Sequence, residues 1–451
     1  MASPEIATPP ASPVPVRPDR RAWGIVILLF VFFTLNFADK AAVGLASPQI
    51  RRDLGLSAGE FGLVGSSFFW LFAVGAVGLS AAMRWISYKW AAAFLMVTWV
   101  ASMLPLTMPT TFGVLLASRV ALGFFEGPAH ALCQSVVADR FPKEKRAFAG
   151  AVVNAGSSVG PLISAPILTW VIVTHSWHTA FLALIVVGLA WLLVWVCYVE
   201  RQPLRKRPAA ARRADAEADP NGHIDVPFRA LLRLPSFWGL SLLSFAGYLI
   251  TSLKVAWLPA FLGEGLGYAP TTVGWLVTVP YATAVVVLLG SGFLSGRLLA
   301  RGWSSRAARS YFSAALIVFA GLSMIAFTLV GPGPLQLALV ICTFSINSVA
   351  FSVAFAGASD FLPQRQRTAF FGCVIAVYSV AGIVAPYVLG LVVEAGATVS
   401  EGYANGFLLV GVAICVCAAI GGRLLNPEAA RRTLESETLR LRSAATTGRT
   451  S

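Results

Sequence analysis

Charged residues are scarce in this chain. Only 12% of its 451 residues are Asp, Glu, Lys or Arg, whereas 57% are hydrophobic and the mean hydropathy is +0.75. A soluble domain needs a largely polar surface, so this composition excludes an ordinary soluble protein and indicates an integral membrane protein.

Cysteine and histidine are also rare, with six and four residues. All six cysteines fall within apolar runs, without the spacing of a metal site or of paired extracellular cysteines, which is typical of small core residues. No nucleophile set, metal-ligand cluster or phosphate-binding loop is recognisable. We therefore expect neither an enzyme nor a cofactor or metal site. The cysteines are Cys133, Cys197, Cys342, Cys373, Cys415 and Cys417.

Long apolar runs predict twelve membrane-spanning helices. Most of the runs reach twenty residues or more, enough to cross a hydrocarbon layer of about 30 Å. The fold class predicted from them is an all-α integral membrane protein. The runs begin near Trp23, Glu60, Trp90, Thr111, Ala147, Trp177, Phe237, Pro270, Ala308, Leu335, Thr368 and Tyr403.

The net charge of +14 is explained by the membrane topology of the chain and does not indicate a polyanionic partner. When the N-terminus is placed in the cytoplasm, most of the 34 Lys and Arg residues fall in cytoplasmic segments. This distribution follows the positive-inside rule. We therefore expect a multi-pass cell-membrane protein, in a bacterial inner membrane, with both termini cytoplasmic. Nucleic acid is not an expected partner, and the chain is expected to be a monomer.

A basic, Pro- and Ala-rich stretch divides the apolar runs six and six. The expected organisation is a tail (1–22), a six-helix bundle (23–199), a linker (200–235), a second bundle (236–425) and a C-terminal tail (426–451). The halves also resemble each other: "DRFPKEKRAFAG" begins at Asp139 and "DFLPQRQRTAFFG" at Asp360, and the helices that follow match at several small residues. A duplicated unit with an even number of spans keeps its orientation, so the pattern predicts two pseudo-symmetric six-helix bundles.

Five ionisable residues lie deep within the predicted spans: Asp39, Lys40, Arg119, Glu126 and Lys254. Each costs about 2.5 to 3.5 kcal/mol at a helix centre, so they should face one another or a watery cavity. Three cations against two carboxylates leave one positive charge in excess, which an anionic ligand would balance. A purely structural charge network is the alternative.

Other polar residues in the spans give weaker signals. Asn154, Ser157, Tyr378 and Ser379 are expected to line the cavity, although polar contacts between helices would explain them equally well. His130 follows Glu126 by one helical turn and either shares its proton or packs as an ordinary helical histidine.

The motifs resemble a known family. Twelve spans in two repeats with a basic central loop are similar to the major facilitator superfamily. Within it, "FADKAAVGLASPQI", "SRVALGFFEGP", "VADRFPKEKRAFAG" and "WLPAFL" resemble the anion:cation symporter family, whose pattern reads roughly Tyr-x-Asp-Arg-x-Asn on helix 1 and Arg then Glu on helix 4. Members of that family carry organic anions, usually together with protons.

The resemblance implies residue roles. Asp39 and Glu126 would be the protonatable pair, and Lys40 with Arg119 would meet the substrate carboxylate. The chain departs from the pattern at Phe37, Lys40 and Ala42, which stand in place of Tyr, Arg and Asn. Serines 157 and 379 stand where sugar-acid carriers often have longer amides. Because the site has fewer hydrogen-bond donors than that pattern would give, we expect a less hydroxylated, aromatic carboxylate as the substrate.

A second departure concerns the superfamily's motif in the loop between helices 2 and 3. Its usual Asp falls at Ala82 in the first half and at Gly296 in the second. Asp139 and Asp360 remain, but the Arg contacts that they usually make across the cytoplasmic gate are therefore not expected here.

The predicted function is import of a small organic anion with protons by alternating access, with the site near the membrane midplane between the halves. Substrate contacts are assigned to Lys40, Arg119 and Lys254, with Asn154, Ser157, Tyr378 and Ser379 around them. Two alternatives remain open: an antiporter that exchanges two anions, and a membrane sensor that binds an anion without transporting it.

Overall fold

A computed structural model describes residues 20–83, 85–141, 143–199, 224 and 226–447. Within these ranges the chain is helical, and no strand is formed. The tail before residue 20, most of the predicted linker and Pro142 lie outside the described residues. Twelve helices are long and apolar enough to cross a membrane, which confirms the predicted fold class; each begins within about one helical turn of its predicted start.

The twelve spans are α1 (Arg20–Leu45), α2 (Ala58–Leu79), α3 (Tyr88–Thr107), α4 (Phe112–Val137), α5 (Phe148–Thr174), α6 (Trp177–Tyr198), α7 (Pro235–Ala256), α8 (Pro270–Ala300), α9 (Arg306–Leu329), α10 (Pro334–Ser359), α11 (Ala369–Ala395) and α12 (Val399–Leu424). A further helix, Pro427–Thr447, follows α12 and buries Ala430, Leu434 and Thr438 on one face.

Side-chain caps fix where several spans begin. The Ser57 hydroxyl oxygen accepts a hydrogen bond from the Glu60 amide, and the Glu60 carboxylate accepts one from the Ser57 amide, which forms a capping box at the start of α2. Thr111, Ser176 and Thr398 cap the starts of α4, α6 and α12 in the simpler way. These caps satisfy backbone donors at helix ends that would otherwise be unpaired.

The two halves repeat one packing scheme. Helix α1 packs along α5 in the first half, and α7 packs along α11 in the second. Both α4 and α10 are interrupted near their middle: one helical segment ends at Glu126 and the next begins at Ala129, while in α10 the segments end at Ile346 and begin at Val349. The break in α4 contains Gly127 and Pro128, and Pro128 lacks the amide hydrogen that a continuous helix would use.

Helices α2 and α4 approach each other through glycine. A Cβ on Gly123 would stand 1.7 Å from the Phe68 carbonyl oxygen, and one on Gly75 would stand 1.9 Å from the Phe124 carbonyl oxygen. Only glycine allows backbones this close. The contact holds the middle of α4, and therefore Glu126, against α2.

The halves meet at the membrane face opposite the chain termini. There, α2 packs on α11, α5 on α8 and α1 on α7. Arg51, in a short helix after α1, pairs with Glu264 at 2.7 Å, and Glu394 accepts hydrogen bonds of 2.9 Å from both the Ser57 hydroxyl and the Gly59 amide. The second half thus supplies part of the cap of α2, so closure of this face is built from specific contacts between the halves.

On the side of the termini, the contacts of Asp360 with the described residues Arg309 and Ser305 lie within its own half. Asp360 pairs with Arg309 and accepts a hydrogen bond from Ser305, while Arg367 donates to the carbonyls of Ser359 and Leu362. Asp360 thus has an arginine partner on α9 and a hydroxyl partner just before that helix.

We predict that Gly123→Val destabilises the protein by about 1 to 3 kcal/mol, because the added side chain overlaps the Phe68 carbonyl. The measurement is thermal unfolding in detergent, with size-exclusion chromatography to detect aggregation. Gly113→Ala on the same helix is the control, since its Cβ would meet open space. Equal melting temperatures for the two variants would contradict the close approach of α2 and α4.

Candidate functional site

Lys40 and Glu126 form an ion pair inside the first half. The Lys40 Nζ lies 2.6 Å from the Glu126 Oε2, and the two side chains are 12% and 4% exposed. One helical turn before Lys40, the Asn36 Oδ1 accepts a second hydrogen bond from the ammonium, also at 2.6 Å. A carboxylate and an amide together hold this charge in the membrane interior.

Asp39 and Arg119 form a second ion pair beside the first. The Arg119 Nη1 donates to the Asp39 Oδ2 at 3.2 Å, and both side chains are almost fully buried. The Phe68 ring contacts both cations, with its centroid 5.3 Å from the Arg119 Cζ and 4.9 Å from the Lys40 Nζ. Cation–π contact with one ring couples the two pairs into a single cluster on α1, α2 and α4.

Lys254 is different, because its partners are neutral. Its ammonium donates to the Phe344 carbonyl at 2.9 Å and to the Asn347 Oδ1 at 3.0 Å, and it lies 4.5 Å from the Tyr281 ring centroid. The residue is buried, and none of the carboxylates in the described ranges pairs with it. Of the three cations predicted from the sequence, Lys254 is therefore the one without a counter-charge.

Several charged atoms in the first-half cluster keep unused hydrogen-bonding capacity. The Asp39 Oδ1 and the Glu126 Oε1 are buried and accept no hydrogen bond from the described residues, and the buried Arg119 Nε donates none to them. A narrow cavity borders Glu126 and Asn36 between α1, α3 and α4. Buried polar atoms without protein partners are costly, so their retention points to a functional site rather than to structural support alone.

A family comparison decides what kind of protein carries this arrangement. The model of the Major Facilitator Superfamily matches residues 28–386. The chain belongs to the Major Facilitator Superfamily. Its curated relatives are membrane transporters, which confirms the expectation that the chain is not an enzyme.

Two relatives and one solved structure illustrate the similarity. The hexuronate transporter of Bacillus subtilis (strain 168) is 26% identical over 86% of this chain and 90% of its own length. The D-galactonate transporter of Escherichia coli O6:H1 is 26% identical over 65% of this chain and 71% of its own. A bacterial homologue of the human lysosomal transporter Spinster has a TM-score of 0.74 at 16% identity and covers 93% of this chain and 98% of its own, which supports the superfamily fold.

The predicted polar residues of α5 and α11 are mostly engaged by neighbouring groups. The Ser157 hydroxyl donates to the Asn154 carbonyl at 2.8 Å, and the Ser379 hydroxyl donates to the Ile375 carbonyl at 2.7 Å. The Asn154 Oδ1 accepts a hydrogen bond of 3.2 Å from Gln134. Since both serine protons are committed to the backbone, these hydroxyls can offer a ligand only acceptor oxygens.

Tyr378 belongs to an aromatic cluster in the second half. Its ring centroid lies 4.8 Å from that of Tyr248 and 5.3 Å from that of Phe351, and Phe69 of the first half reaches Tyr248 at 5.5 Å. All four rings are half-buried, and neither tyrosine hydroxyl has a hydrogen-bond partner within the part of the chain that the structure describes. The cluster therefore presents both ring surface and free hydroxyl groups where the halves meet.

His130 is placed differently from one of its predicted roles. Although it follows Glu126 by four residues, its side chain is exposed and hydrogen-bonds to Asn154. Its ring also lies 5.8 Å from that of Phe33. The break in α4 turns His130 towards α5, so the contacts of the described residues place it with Asn154 rather than with the Lys40–Glu126 pair.

Three residues that contact the charged side chains were not predicted from the sequence: Asn36, Phe68 and Asn347. Asn36 was detectable, because it stands one turn before Lys40 on the same helical face. Asn347 was also detectable through the internal repeat, since it precedes Asp360 by the same thirteen residues that separate Glu126 from Asp139. Phe68 carried no signal, because a phenylalanine in an apolar span looks like any packing residue.

We predict that Asp39→Asn lowers stability by about 3 to 5 kcal/mol, because it leaves the buried Arg119 without a counter-charge. Glu126→Gln should cost less, since Lys40 keeps the Asn36 oxygen and is more exposed. Thermal unfolding of the purified variants measures both effects.

The matched control is the double variant Asp39→Asn/Arg119→Gln, which removes both charges and should recover most of the lost stability. A double variant as unstable as Asp39→Asn alone would show that the pair is not the source of the effect.

Proposed function

We propose that this chain is a proton-coupled transporter that imports a small organic anion by alternating access. It acts as a monomer in a bacterial inner membrane, with both termini in the cytoplasm. The substrate carboxylate binds near Lys254, Lys40 and Arg119, and Glu126 and Asp39 carry the coupling protons.

One observation carries the proposal: two cations have carboxylate partners and the third, Lys254, has only neutral ones. The ammonium is held by neutral acceptors and has no counter-charge, so a carboxylate that approaches it gains a charge-assisted hydrogen bond. A structural network would instead be expected to balance its charges internally.

The Lys40–Glu126 pair supplies a way to couple the anion to a proton. When Glu126 is ionised, it competes with the substrate for Lys40. When Glu126 takes up a proton, the ion pair is lost and Lys40 becomes available to the anion. The Glu126 Oε1, which receives no hydrogen bond from the described residues, and the cavity beside it are consistent with proton access.

The contacts between the halves support alternating access. They are concentrated at the face opposite the termini, where the ion pair of Arg51 with Glu264 and the hydrogen bonds of Glu394 close the site. These contacts are polar and near the surface, so water can replace them when the halves rock apart. The state described here is thus closed on the side that we assign to the outside.

The substrate class follows from the relatives and from the donors. The named relatives transport hexuronate and D-galactonate, which are carboxylates with many hydroxyl groups. In this chain the hydroxyl protons of Ser157 and Ser379 are committed to their own helices. A heavily hydroxylated acid would therefore find few donors beyond the charged residues and the Tyr hydroxyls.

The aromatic cluster favours a planar, sparsely hydroxylated carboxylate. Tyr248, Phe351 and Tyr378 form one contiguous surface of half-buried rings, and Phe69 extends it across the boundary between the halves. Offset stacking or edge contact with an aromatic ligand gains about 0.5 to 1.5 kcal/mol beyond burial alone. We propose an aromatic monocarboxylate as the preferred substrate.

We predict that Glu126→Gln keeps substrate exchange but abolishes accumulation driven by a pH gradient, because the variant cannot take up and release the coupling proton. The measurement is uptake of radiolabelled benzoate and D-glucuronate into proteoliposomes with an imposed pH gradient, compared with counterflow at equal pH.

Undiminished gradient-driven accumulation by Glu126→Gln would contradict its role. Wild-type exchange that is indifferent to pH, without accumulation, would favour an anion antiporter instead. Asp139→Asn is a useful comparison, since Asp139 lies in the repeat motif and outside the buried cluster.

We predict that benzoate stabilises the purified protein at lower concentrations than cyclohexanecarboxylate or D-glucuronate. The three probes share a carboxylate on a six-membered ring and differ in planarity and hydroxyl content, so the comparison isolates the aromatic surface. Ligand-dependent shifts in melting temperature provide the affinities.

Tyr378→Leu should reduce the preference for benzoate over cyclohexanecarboxylate several-fold, and Tyr378→Phe should retain it, because stacking needs the ring and not the hydroxyl. The strongest binding by D-glucuronate would show that the aromatic assignment is wrong.

A further inference from the structure

The two halves place related residues at the breaks of α4 and α10. Glu126 and Asn347 both lie thirteen residues before the aspartate of the repeated motif, Asp139 or Asp360. Glu126 is the last residue of the first helical segment of α4, and Asn347 directly follows the corresponding segment of α10. By position in the repeat, Asn347 is the counterpart of Glu126.

Each of these residues holds a lysine from the first helix of its half. The Lys40 Nζ contacts the Glu126 Oε2 at 2.6 Å, and the Lys254 Nζ donates to the Asn347 Oδ1 at 3.0 Å. The lysines occupy similar depths, about 20 residues from the starts of α1 and α7. In each half a lysine therefore contacts the residue at the helix break, which carries a carboxylate in the first half and an amide in the second.

The amide of Asn347 is held in one orientation. Its Nδ2 donates to the Thr251 hydroxyl at 2.8 Å, which leaves the Oδ1 facing Lys254. An amide oxygen accepts the hydrogen bond as a carboxylate would, but it brings no charge. The contact can stabilise the Lys254 ammonium without neutralising it.

The surroundings of Lys254 do not restore the missing charge. Its further contacts are the Phe344 carbonyl and the ring of Tyr281 on α8. Towards the face opposite the termini the titratable groups are Glu264 and Tyr403, and Glu264 contacts both Tyr403 and Arg51. Tyr248 and Tyr378 lie in the aromatic cluster further along α7 and α11.

We propose that Asn347 is a positioning residue that makes Lys254 the permanent anion contact of the site: it holds the Lys254 ammonium in place and leaves its charge uncompensated, whereas Glu126 at the equivalent position compensates Lys40. The inference rests on the proposed function, since it explains why Lys254 is open to the anion throughout and Lys40 only when Glu126 carries a proton. A carboxylate at position 347 would make the halves electrostatically alike.

The first test is Asn347→Asp, which has nearly the same shape as asparagine and adds a counter-charge beside Lys254. We expect the affinity for benzoate, measured by ligand-dependent melting shifts, to fall on the order of tenfold or more. We also expect the melting temperature without ligand to rise, because a buried cation gains an ion-pair partner.

A damaged fold would lower both the benzoate affinity and the melting temperature, whereas the proposal expects the affinity to fall and the melting temperature to rise. Asn347→Leu is the matched control, since it removes the acceptor and should lower both the melting temperature and the affinity. An Asn347→Asp variant that melts below the wild type, as Asn347→Leu should, or that binds benzoate with unchanged affinity would overturn the proposal.

The decisive test is rescue by the charge-exchanged double variant Glu126→Gln/Asn347→Asp. It moves the compensated lysine from the first half to the second and leaves Lys40 as the uncompensated one. We expect benzoate affinity to return to within about threefold of the wild type. A double variant that binds as weakly as Asn347→Asp alone would refute the assignment.

Failure of the proposed function has a different signature. If the wild type binds neither benzoate nor D-glucuronate, the carboxylate assignment fails, and the melting temperatures of the ligand-free variants still decide the role of Asn347. If the wild type binds benzoate and the Asn347 variants do not follow the expected order, the carboxylate assignment stands and the positioning role fails.

Discussion

The structure depends on the cost of placing charge in a low-dielectric membrane interior. Each ionisable group there needs a partner, because water is not available to solvate it. The chain meets this requirement for four groups with two ion pairs, Lys40–Glu126 and Asp39–Arg119, and for Lys254 with neutral oxygens. In the function that we propose, this difference distinguishes the anion-binding Lys254 from the two charge pairs.

The backbone geometry serves this charge arrangement. Glycines in α2 and α4 bring the helices close enough for Phe68 to contact both Lys40 and Arg119. The break in α4 ends one helical segment at Glu126 and turns the following residues towards α5, where His130 meets Asn154. Close packing and a helix interruption thus determine which polar residues share a cluster.

In the function that we propose, the internal repeat lets the two halves of the site take different roles. Duplication supplies two similar lysine positions, and a single difference of charge at the helix breaks makes them unequal. An ion pair in the first half can respond to a proton, while a charge with neutral partners in the second half suits an anion. In this proposal, two copies of one structural unit that differ in charge at one position bind two different ligands, an anion and a proton.

The sequence by itself determined the membrane class, the twelve spans, the repeat and the five ionisable residues within the spans, because apolar length and rare charges are local signals. It also predicted an excess cation. Only the tertiary structure decided that Lys254 is this cation and that Asp39 pairs with Arg119 and Lys40 with Glu126. It also decided that Phe68 contacts both cations of the first half and that Asn347 contacts Lys254 in the second. Pairing depends on the distances between helices, and neither Phe68 nor the serine hydroxyls reveal their contacts through spacing along one helix.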